Sequence, residues 1–226
     1  MPLKIIVTGA TGLAGSEVVR QAILDDGIEK ITALVRRPLP FQHPKLDIVL
    51  HDNYRDYSGL APLFAAHDPC LWCLGISQTQ VDKDEYIRIT YDYVVTAAQA
   101  MLNANPGITF VFLSGAGADS QEKARTLFAR IKGKAENNLK RLPFKKLFIA
   151  RPGGIIPVHK KEKAALFEKL LIPFYPFLQL LLPTMMISSV VLAKAMLRLA
   201  KQGADKTILE NMPLKKLAAE PPPAAA

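Results

Sequence analysis

Thr8-Gly9-Ala10-Thr11-Gly12-Leu13-Ala14-Gly15 carries the strongest structural signal in the chain. An apolar run at residues 4–7 precedes this glycine-rich turn and is predicted to be a strand. An amphipathic segment at residues 14–25 follows it and is predicted to be a helix, because its apolar residues recur on one stripe. Glycines at every third position between a strand and a helix predict the first turn of a βαβ unit that binds a dinucleotide.

Each glycine of the turn has its own expected role. Gly9 permits the tight turn, Gly12 lets the backbone approach a pyrophosphate, and Gly15 allows the helix to pack closely on the sheet. The pyrophosphate would then lie on free amides at the helix N-terminus, where the helix dipole favours an anion. We therefore expect Gly9, Thr11, Gly12, Leu13 and Gly15 to bind the cofactor. The alternative is a flexible glycine loop without a ligand.

Two arginines, Arg36 and Arg37, follow the second predicted strand at residues 31–35. A NAD-selective site would usually place Asp or Glu here, against the ribose hydroxyls. A guanidinium can instead hold an additional phosphate with two hydrogen bonds. The pair favours NADPH or NADP over NAD, unless both are ordinary surface residues. Asp52, after the third strand, is expected either to hold the adenine amine or to cap the next turn.

Apolar runs continue to alternate with helical patterns as far as Arg151. Strands are predicted at residues 46–50, 70–74, 109–113 and 146–150, and helices at 58–66, 84–103 and 121–139. The runs lack a polar alternation, as expected for parallel strands that are covered on both faces. At least six strands with crossover helices predict an α/β fold, a doubly wound and mostly parallel Rossmann sheet. We place this dinucleotide-binding domain at residues 1–157.

The region after the sheet is predicted to be a small, helical and apolar appendage. Residues 158–216, with a helix at 188–201, would pack on the Rossmann domain as a substrate or partner region, and residues 217–226 would be a disordered tail. The strongly apolar segment 166–186 contains prolines and is a poor transmembrane helix. Three interpretations stay open: a lid over the cofactor cleft, an oligomer or protein-partner surface, and attachment to a membrane surface.

Basic residues are concentrated in the second half of the chain. Residues 1–113 carry 9 basic and 12 acidic groups, whereas residues 114–226 carry 20 basic and 8 acidic groups. Such an excess suits phosphates, acidic partners or an anionic membrane, and it is also typical of a solvated lysine-rich surface. The charges are scattered and no DNA-binding motif is present, so we expect no nucleic-acid partner.

The two cysteines, Cys70 and Cys73, are too few for a disulfide framework, and we expect no metal site. In a strand, residues three apart point to opposite faces, so we interpret them as buried hydrophobes rather than a redox pair. The first seven residues do not resemble a signal peptide. These features predict a cytoplasmic protein, with peripheral attachment to a membrane as the alternative.

Seven short motifs occur in order between residues 4 and 157. They are the turn at 8–15, Arg36-Arg37, Cys73-Leu74-Gly75, Asp92-Tyr93-Val94, Leu113-Ser114-Gly115-Ala116-Gly117-Ala118-Asp119, Lys132-Gly133-Lys134-Ala135-Glu136 and Arg151-Pro152-Gly153. On these residues the chain resembles the short-chain dehydrogenase/reductase superfamily, and in it the atypical NADPH-binding group of epimerase/dehydratase-like and NmrA-like proteins.

The resemblance implies roles for further residues. Beyond the glycine turn, the residues that would line the cofactor are Leu74, Gly75, Pro152 and Gly153, the last two near the nicotinamide. Ser114 would occupy the catalytic serine position. Lys132 would occupy the catalytic lysine position and would also bind the ribose hydroxyls of the cofactor.

The chain departs from this resemblance at Phe128. Such reductases carry Tyr-x-x-x-Lys on the helix, because four residues bring both side chains to one face and the ammonium lowers the pKa of the phenol. Phe128 has no proton to give, and Tyr91 and Tyr93 are candidate substitutes. Two functions stay open: an NADPH-dependent reductase or isomerase of apolar carbonyl compounds, oxidoreductase-like with an incomplete catalytic set, or a non-catalytic NADPH-binding protein that organises a partner- or membrane-facing surface.

Overall fold

The computed structural model describes residues 2–159 and 184–221. The strands in these residues are β1 (Leu3–Thr8), β2 (Ile28–Val35), β3 (Leu46–Leu50), β4 (Cys70–Trp72), β5 (Thr109–Leu113), β6 (Lys146–Arg151), β7 (Gly154–Ile156), β8 (Met186–Ser188) and β9 (Ile208–Glu210). The helices are α1 (Leu13–Ile23), α2 (Ala61–Ala65), α3 (Lys83–Ile87), α4 (Tyr93–Ala104), α5 (Leu127–Arg141), α6 (Ser189–Gln202) and α7 (Asn211–Ala219). A 3-10 turn, Ser58–Leu60, precedes α2, and a π-helical turn, Arg88–Asp92, joins α3 to α4.

Seven of the described strands form one parallel sheet in the order β3-β2-β1-β4-β5-β6-β9. The order reverses between β1 and β4, and in sheets of this kind the ligand crevice opens at that point, outside the carboxyl ends of the strands. The prediction of a doubly wound, parallel α/β sheet is confirmed. Strands β7 and β8 form a separate parallel pair.

Helices cover both faces of the sheet, which explains why the middle residues of its central strands are apolar on both sides. Residues of α1, α6 and α7 form one core with alternate strand residues such as Ile5 and Val7. Residues of α2, α4 and α5 form the second core with the intervening residues, such as Ile6. All three of these β1 side chains are fully buried. A strand covered on both faces cannot show a polar alternation.

The region after residue 157 supplies part of the sheet, which the sequence analysis did not predict. Strand β9 pairs with β6 and forms one edge, and α6 packs on α1. A strand of three residues is too short for its pattern to be recognised. The predicted tail also begins too early, because α7 continues to Ala219 and Leu217 is buried.

The apolar segment 166–186 lies outside the described residues except for its last three positions, and so does the tail from residue 222. In the described part of the chain, no helix is both long and apolar enough to cross a membrane. Whether the apolar segment forms a lid, a partner surface or a membrane attachment stays a prediction.

Helix α5 begins six residues later than predicted, at Leu127 instead of residue 121. The carboxylate of Asp119 accepts hydrogen bonds from the backbone amides of Gln121, Lys123 and Ala124 at 2.7–2.9 Å. These bonds hold the preceding residues in a loop, an alternative to helix that aspartate side chains commonly offer the backbone.

Candidate functional site

The glycine turn is packed so tightly that its glycines have almost no room for a side chain. Gly9 has a φ of +65°, and a Cβ on it would lie 2.6 Å from the carbonyl oxygen of Cys73. A Cβ on Gly15 would lie 2.3 Å from the carbonyl oxygen of Gly9. The hydroxyl of Thr8 accepts hydrogen bonds from the amides of Cys73 and Leu74 at 3.1 and 3.2 Å. The turn after β1 is therefore tied to the end of β4, at the point where the strand order reverses.

Helix α1 begins immediately after this turn with an uncapped N-terminus. Gly12 is its N-cap residue, and in the part of the chain that the structure describes no side chain caps the helix and no acidic residue occupies its first turn. Thr11 is exposed, and Leu13 is partly buried. The first amides of a helix lack partners within the helix, so this terminus is suited to an anion.

Arg36 and Arg37 stand exposed where β2 ends. Within residues 2–159 and 184–221, neither arginine forms an ion pair or a side-chain hydrogen bond. Burial raises the pKa of the nearby Tyr54 to about 12, although the positive charge of Arg36 acts in the opposite direction. Both guanidinium groups are thus available to a negatively charged ligand at this end of the crevice.

Asp52 is exposed after β3, but it does not cap the following turn. Asn53 accepts a hydrogen bond from the amide of Arg55, and Asp56 accepts one from the amide of Ser58. These two side chains therefore take the capping role that was one alternative for Asp52. A role for Asp52 in holding the adenine amine stays a prediction.

The loop after β4 reaches across to the start of α5. Gly75 is exposed, and a Cβ on it would meet no atom within 4 Å, so this position faces open space. Leu74 is partly buried. The side-chain oxygen of Gln78 accepts a hydrogen bond of 3.0 Å from the amide of Phe128. Gln78, which the sequence analysis missed, thereby joins the loop that follows β4 to the helix that carries Lys132.

Pro152 and Gly153 form the turn between β6 and β7. The carbonyl oxygen of Pro152 accepts a hydrogen bond from the amide of Ala116, and the amide of Gly153 donates to the side-chain oxygen of Asn211. A Cβ on Gly153 would lie 2.0 Å from the carbonyl oxygen of Met185. The glycine is therefore required by its close packing on the segment before β8, whatever it contributes to a cofactor site.

Ser114 follows β5 and donates its hydroxyl proton to a buried carboxylate. Its Oγ lies 2.5 Å from Oε1 of Glu136, which has no exposed surface. The Nε of Arg151 donates to the same oxygen at 2.9 Å, and its Nη1 donates to Glu210 at 3.0 Å. The hydrogen bond with Glu136 raises the pKa of Arg151 above its usual range. In this arrangement the hydroxyl of Ser114 can accept a hydrogen bond but has no free proton to donate.

Lys132 lies on α5 and is directed at the ends of β4 and β5. Its Nζ donates to the carbonyl oxygen of Leu113 at 3.0 Å and lies 4.8 Å from the ring centroid of Phe112. Only 8% of the residue is exposed. Burial lowers the pKa of this ammonium group to about 8, with opposing effects from Glu136 and Cys73. The lysine is therefore at the edge of the crevice, but it is hydrogen-bonded to the backbone.

The two tyrosines proposed as substitutes for the missing phenol occupy different surroundings. Tyr91 packs under Lys134, whose Nζ lies 4.4 Å from the ring centroid. Tyr93 stacks on Tyr54 at 5.5 Å, in the aromatic cluster beside the end of β2. Phe128 itself packs against Gly115. A catalytic role for either tyrosine stays a prediction.

The structure brings together at one edge of the sheet most of the residues singled out in the sequence. The glycine turn, Arg36, Leu74, Ser114 and Lys132 follow or face the carboxyl ends of β1, β2, β4 and β5. Glu136 was quoted among the motifs without a role. Its position one helical turn after Lys132 is the signal that could have placed it on the same face.

Comparison with known proteins shows which family the chain resembles. The sequence pattern of the NAD dependent epimerase/dehydratase family matches residues 5–129. The protein HTATIP2 of Rattus norvegicus is 27% identical over 155 residues, which cover 68% of this chain but only 63% of the rat protein. The mitochondrial protein FMP52 of Saccharomyces cerevisiae is 30% identical over 166 residues, covering 72% of this chain and 70% of the yeast protein.

A solved structure extends the likeness to almost the whole chain. A short chain dehydrogenase from Burkholderia cenocepacia in complex with NADP superposes with a TM-score of 0.65 at 15% identity, covering 97% of this chain and 94% of that one. At this identity the likeness shows the fold alone.

The prediction of a cytoplasmic location is contradicted by the relatives. FMP52 proteins from several fungi, including Saccharomyces cerevisiae and Kluyveromyces lactis, are named mitochondrial. The absence of a recognisable signal peptide did not predict the compartment, because signal peptides direct secretion and not transport to other compartments.

Proposed function

The chain belongs to the NAD dependent epimerase/dehydratase family, and we propose that it binds a nicotinamide dinucleotide at the carboxyl edge of its sheet, NADPH in preference to NADH. The observation that carries this proposal is the glycine turn. Gly9 and Gly15 leave no room for side chains, and α1 begins there without a cap. A helix start of this kind is suited to the pyrophosphate of a dinucleotide.

The preference for NADPH rests on Arg36 and Arg37. Both are exposed at the end of β2, on the side of the switch point where the adenosine half of a dinucleotide binds in this fold. Neither is neutralised by a carboxylate among the described residues. A phosphate on the ribose would provide the anion that these two guanidinium groups lack.

The chemistry at the other half of the site is that of an oxidoreductase with an incomplete set of catalytic groups. A bound nicotinamide would supply hydride transfer, with an apolar carbonyl compound as the substrate class. Ser114 would accept a hydrogen bond and Lys132 would hold ribose hydroxyls. Phe128 donates no proton, and loss of a general acid typically lowers a rate by about 100- to 10,000-fold.

A second candidate is a non-catalytic protein that uses NADPH binding to organise a partner- or membrane-facing surface. The specific observation in its favour is the bond between Ser114 and Glu136. Because the serine proton is held by a carboxylate and position 128 has none, neither group donates a proton to a carbonyl oxygen in this arrangement.

Calorimetric titration of the whole chain with NADPH and NADH tests the cofactor proposal. Replacing Arg36 and Arg37 by Ala should weaken NADPH binding by about tenfold or more, since a hydrogen bond to a charged group contributes roughly 1.5–3 kcal/mol. NADH binding should change little. Arg141→Ala is the matched control, because it removes an exposed arginine at the carboxyl end of α5, and it should leave both affinities unchanged.

Equal losses for NADPH and NADH would refute the preference, and no binding of either would refute the whole proposal. NADPH oxidation against a panel of apolar aldehydes and ketones separates the two candidates. Turnover that depends on Lys132 supports the oxidoreductase, whereas tight binding without turnover supports the non-catalytic protein.

A further inference from the structure

Lys132 is a buried cation at the nicotinamide half of the proposed site. Its ammonium group lies at the ends of β4 and β5, where it is bonded to the carbonyl oxygen of Leu113. In a doubly wound sheet the two halves of a dinucleotide bind on opposite sides of the switch point. The turn after β1 and the arginines after β2 take the pyrophosphate and the adenosine half. The ring of the nicotinamide is therefore expected on the side of β4 and β5, beside Lys132.

The charge of Lys132 is not neutralised by an ion pair of its own. Among the described residues, its hydrogen-bond partner is a neutral carbonyl, and no carboxylate oxygen lies within 4 Å of its Nζ. Glu136 is the nearest influential anion, but both of its oxygens are bonded to Arg151. Phe128, one helical turn before Lys132, offers no phenol or phenolate. The positive charge of Lys132 is thus buried at this edge, and the neighbouring carboxylate of Glu136 is already paired with Arg151.

We propose that Lys132 makes the site discriminate between the oxidation states of its cofactor, so that the reduced form binds more tightly than the oxidised form. This inference rests on the proposed function. The two forms share their ribose groups, phosphates and adenine, and they differ in the nicotinamide ring, which is neutral when reduced and carries a positive charge when oxidised. A buried ammonium group beside the ring therefore opposes the oxidised form alone.

The expected size of the effect follows from Coulomb's law. Two unit charges roughly 7 Å apart, at an effective dielectric constant between about 20 and 80, change an affinity by about threefold to fiftyfold. The oxidised and reduced rings also differ in shape and stacking. This difference multiplies the ratio of the two dissociation constants by a factor that does not change with pH. The diagnostic quantity is therefore how the ratio of the two dissociation constants changes with pH and with the residue at position 132.

The pH dependence has a defined sign. Below the pKa of Lys132, about 8, the amine is charged and opposes the oxidised ring. Above that pH it becomes neutral and the opposition disappears. The described groups that face it are Cys73, directly after β4, and Glu136 from α5, with Arg151 of β6 behind Glu136. Burial raises the pKa of Cys73 to about 12, so this thiol stays neutral across the same range.

Calorimetric titrations with NADP and NADPH between pH 6.5 and about 9.5 test the proposal. The ratio of the NADP dissociation constant to the NADPH dissociation constant should be highest at low pH and should fall by at least about threefold as Lys132 loses its charge. Because protonation of Lys132 weakens NADP binding, NADP binding must in turn weaken protonation of Lys132, so binding near pH 8 should release protons. Titrations in buffers of different ionisation enthalpy detect this release.

Three variants sharpen the test. Lys132→Met removes the charge and should make the ratio low and independent of pH. Lys132→Arg keeps a charge that does not titrate in this range, so the ratio should stay high at every pH. Lys134→Met is the matched control, because Lys134 packs on Tyr91 instead of the sheet edge, and it should behave as the parent protein does.

The outcomes separate this inference from the function on which it rests. If both cofactors bind and their ratio is flat across the pH range in the parent protein, the inference is wrong and the proposed function stands. If neither cofactor binds, both are overturned. The series on the parent protein decides the matter even if a variant fails to fold.

Discussion

The para carbon of Phe128 points at the backbone of Gly115. A Cβ on Gly115 would lie 2.7 Å from Cζ of the ring, compared with 3.5 and 3.8 Å from the two Cε atoms. The long axis of the ring is therefore directed at the position that a Cβ on this glycine would occupy. A hydroxyl on Cζ would extend into that position, so a tyrosine at 128 would be crowded against Gly115.

We expect Phe128→Tyr to destabilise the protein by about 1–3 kcal/mol, as overpacking of a filled contact does. The variant should also fail to gain carbonyl reduction unless the ring turns away from Gly115. Urea unfolding and NADPH oxidation measure the two effects. Phe41→Tyr, on a phenylalanine that is 41% exposed, is the control and should be neutral. Parental stability together with new turnover would show that the site has room for the phenol.

Gly15→Ala should abolish dinucleotide binding and lower the melting temperature. The added Cβ would lie 2.3 Å from the carbonyl oxygen of Gly9, so either α1 or the turn must move. Gly59→Ala introduces the same methyl group where no atom lies within 4 Å, and it should be harmless. Calorimetry with NADPH and a thermal melt compare the two. If the variants bound NADPH equally well, close packing at Gly15 would not be needed for the site.

Glu136→Gln should cost more stability than Ser114→Ala. The first change removes the buried charge that the partly buried Arg151 faces, and breaking a buried ion pair typically costs about 3–5 kcal/mol. The second removes one hydrogen bond, with a cost of roughly 1 kcal/mol. Urea unfolding of both variants and of the double variant measures the coupling. Similar costs for the two single changes would mean that the ion pair contributes little.

Cys70 and Cys73 should resist a thiol reagent in the folded protein. Both are buried and free, and burial raises the pKa of Cys73 to about 12 and that of Cys70 well above its usual value. The reactive species is the thiolate, which is then scarce at pH 8. Labelling with a chromogenic disulfide should be slow until denaturant is added, when both thiols react. Rapid labelling of either cysteine without denaturant would point to an exposed redox pair instead.

The first six strands and the turn between β1 and α1 were predictable because their signals are local. A run of residues buried on both faces, such as Thr109–Leu113 with Phe110, Val111 and Phe112, is visible without knowledge of its neighbours. The glycines of the turn are likewise explained by their immediate packing. The prediction that Cys70 and Cys73 are buried is confirmed for the same reason.

The contacts that set the protonation of the site were not predictable, because they depend on the order of the strands. Ser114 follows β5, Glu136 lies on α5 and Arg151 ends β6, and only the parallel pairing of β5 with β6 brings the three together. The resemblance placed Ser114 at the catalytic serine position, but it gave no sign that its hydroxyl proton is donated to Glu136. Strand β9 escaped detection because three residues, of which Leu209 alone is buried, carry no pattern.

Strand β6 receives its outer neighbour from far along the chain, and this has a consequence for biosynthesis. Arg151 and Glu210, which meet across β6 and β9, are 59 residues apart. A ribosome adds about 5–20 residues per second, so an emerging chain keeps one side of β6 unpaired for roughly 3–12 seconds. An unpaired strand is a template for pairing with another chain. Nascent molecules on one messenger are therefore exposed to mutual aggregation, or to capture by a chaperone, until residues 208–210 have left the exit tunnel.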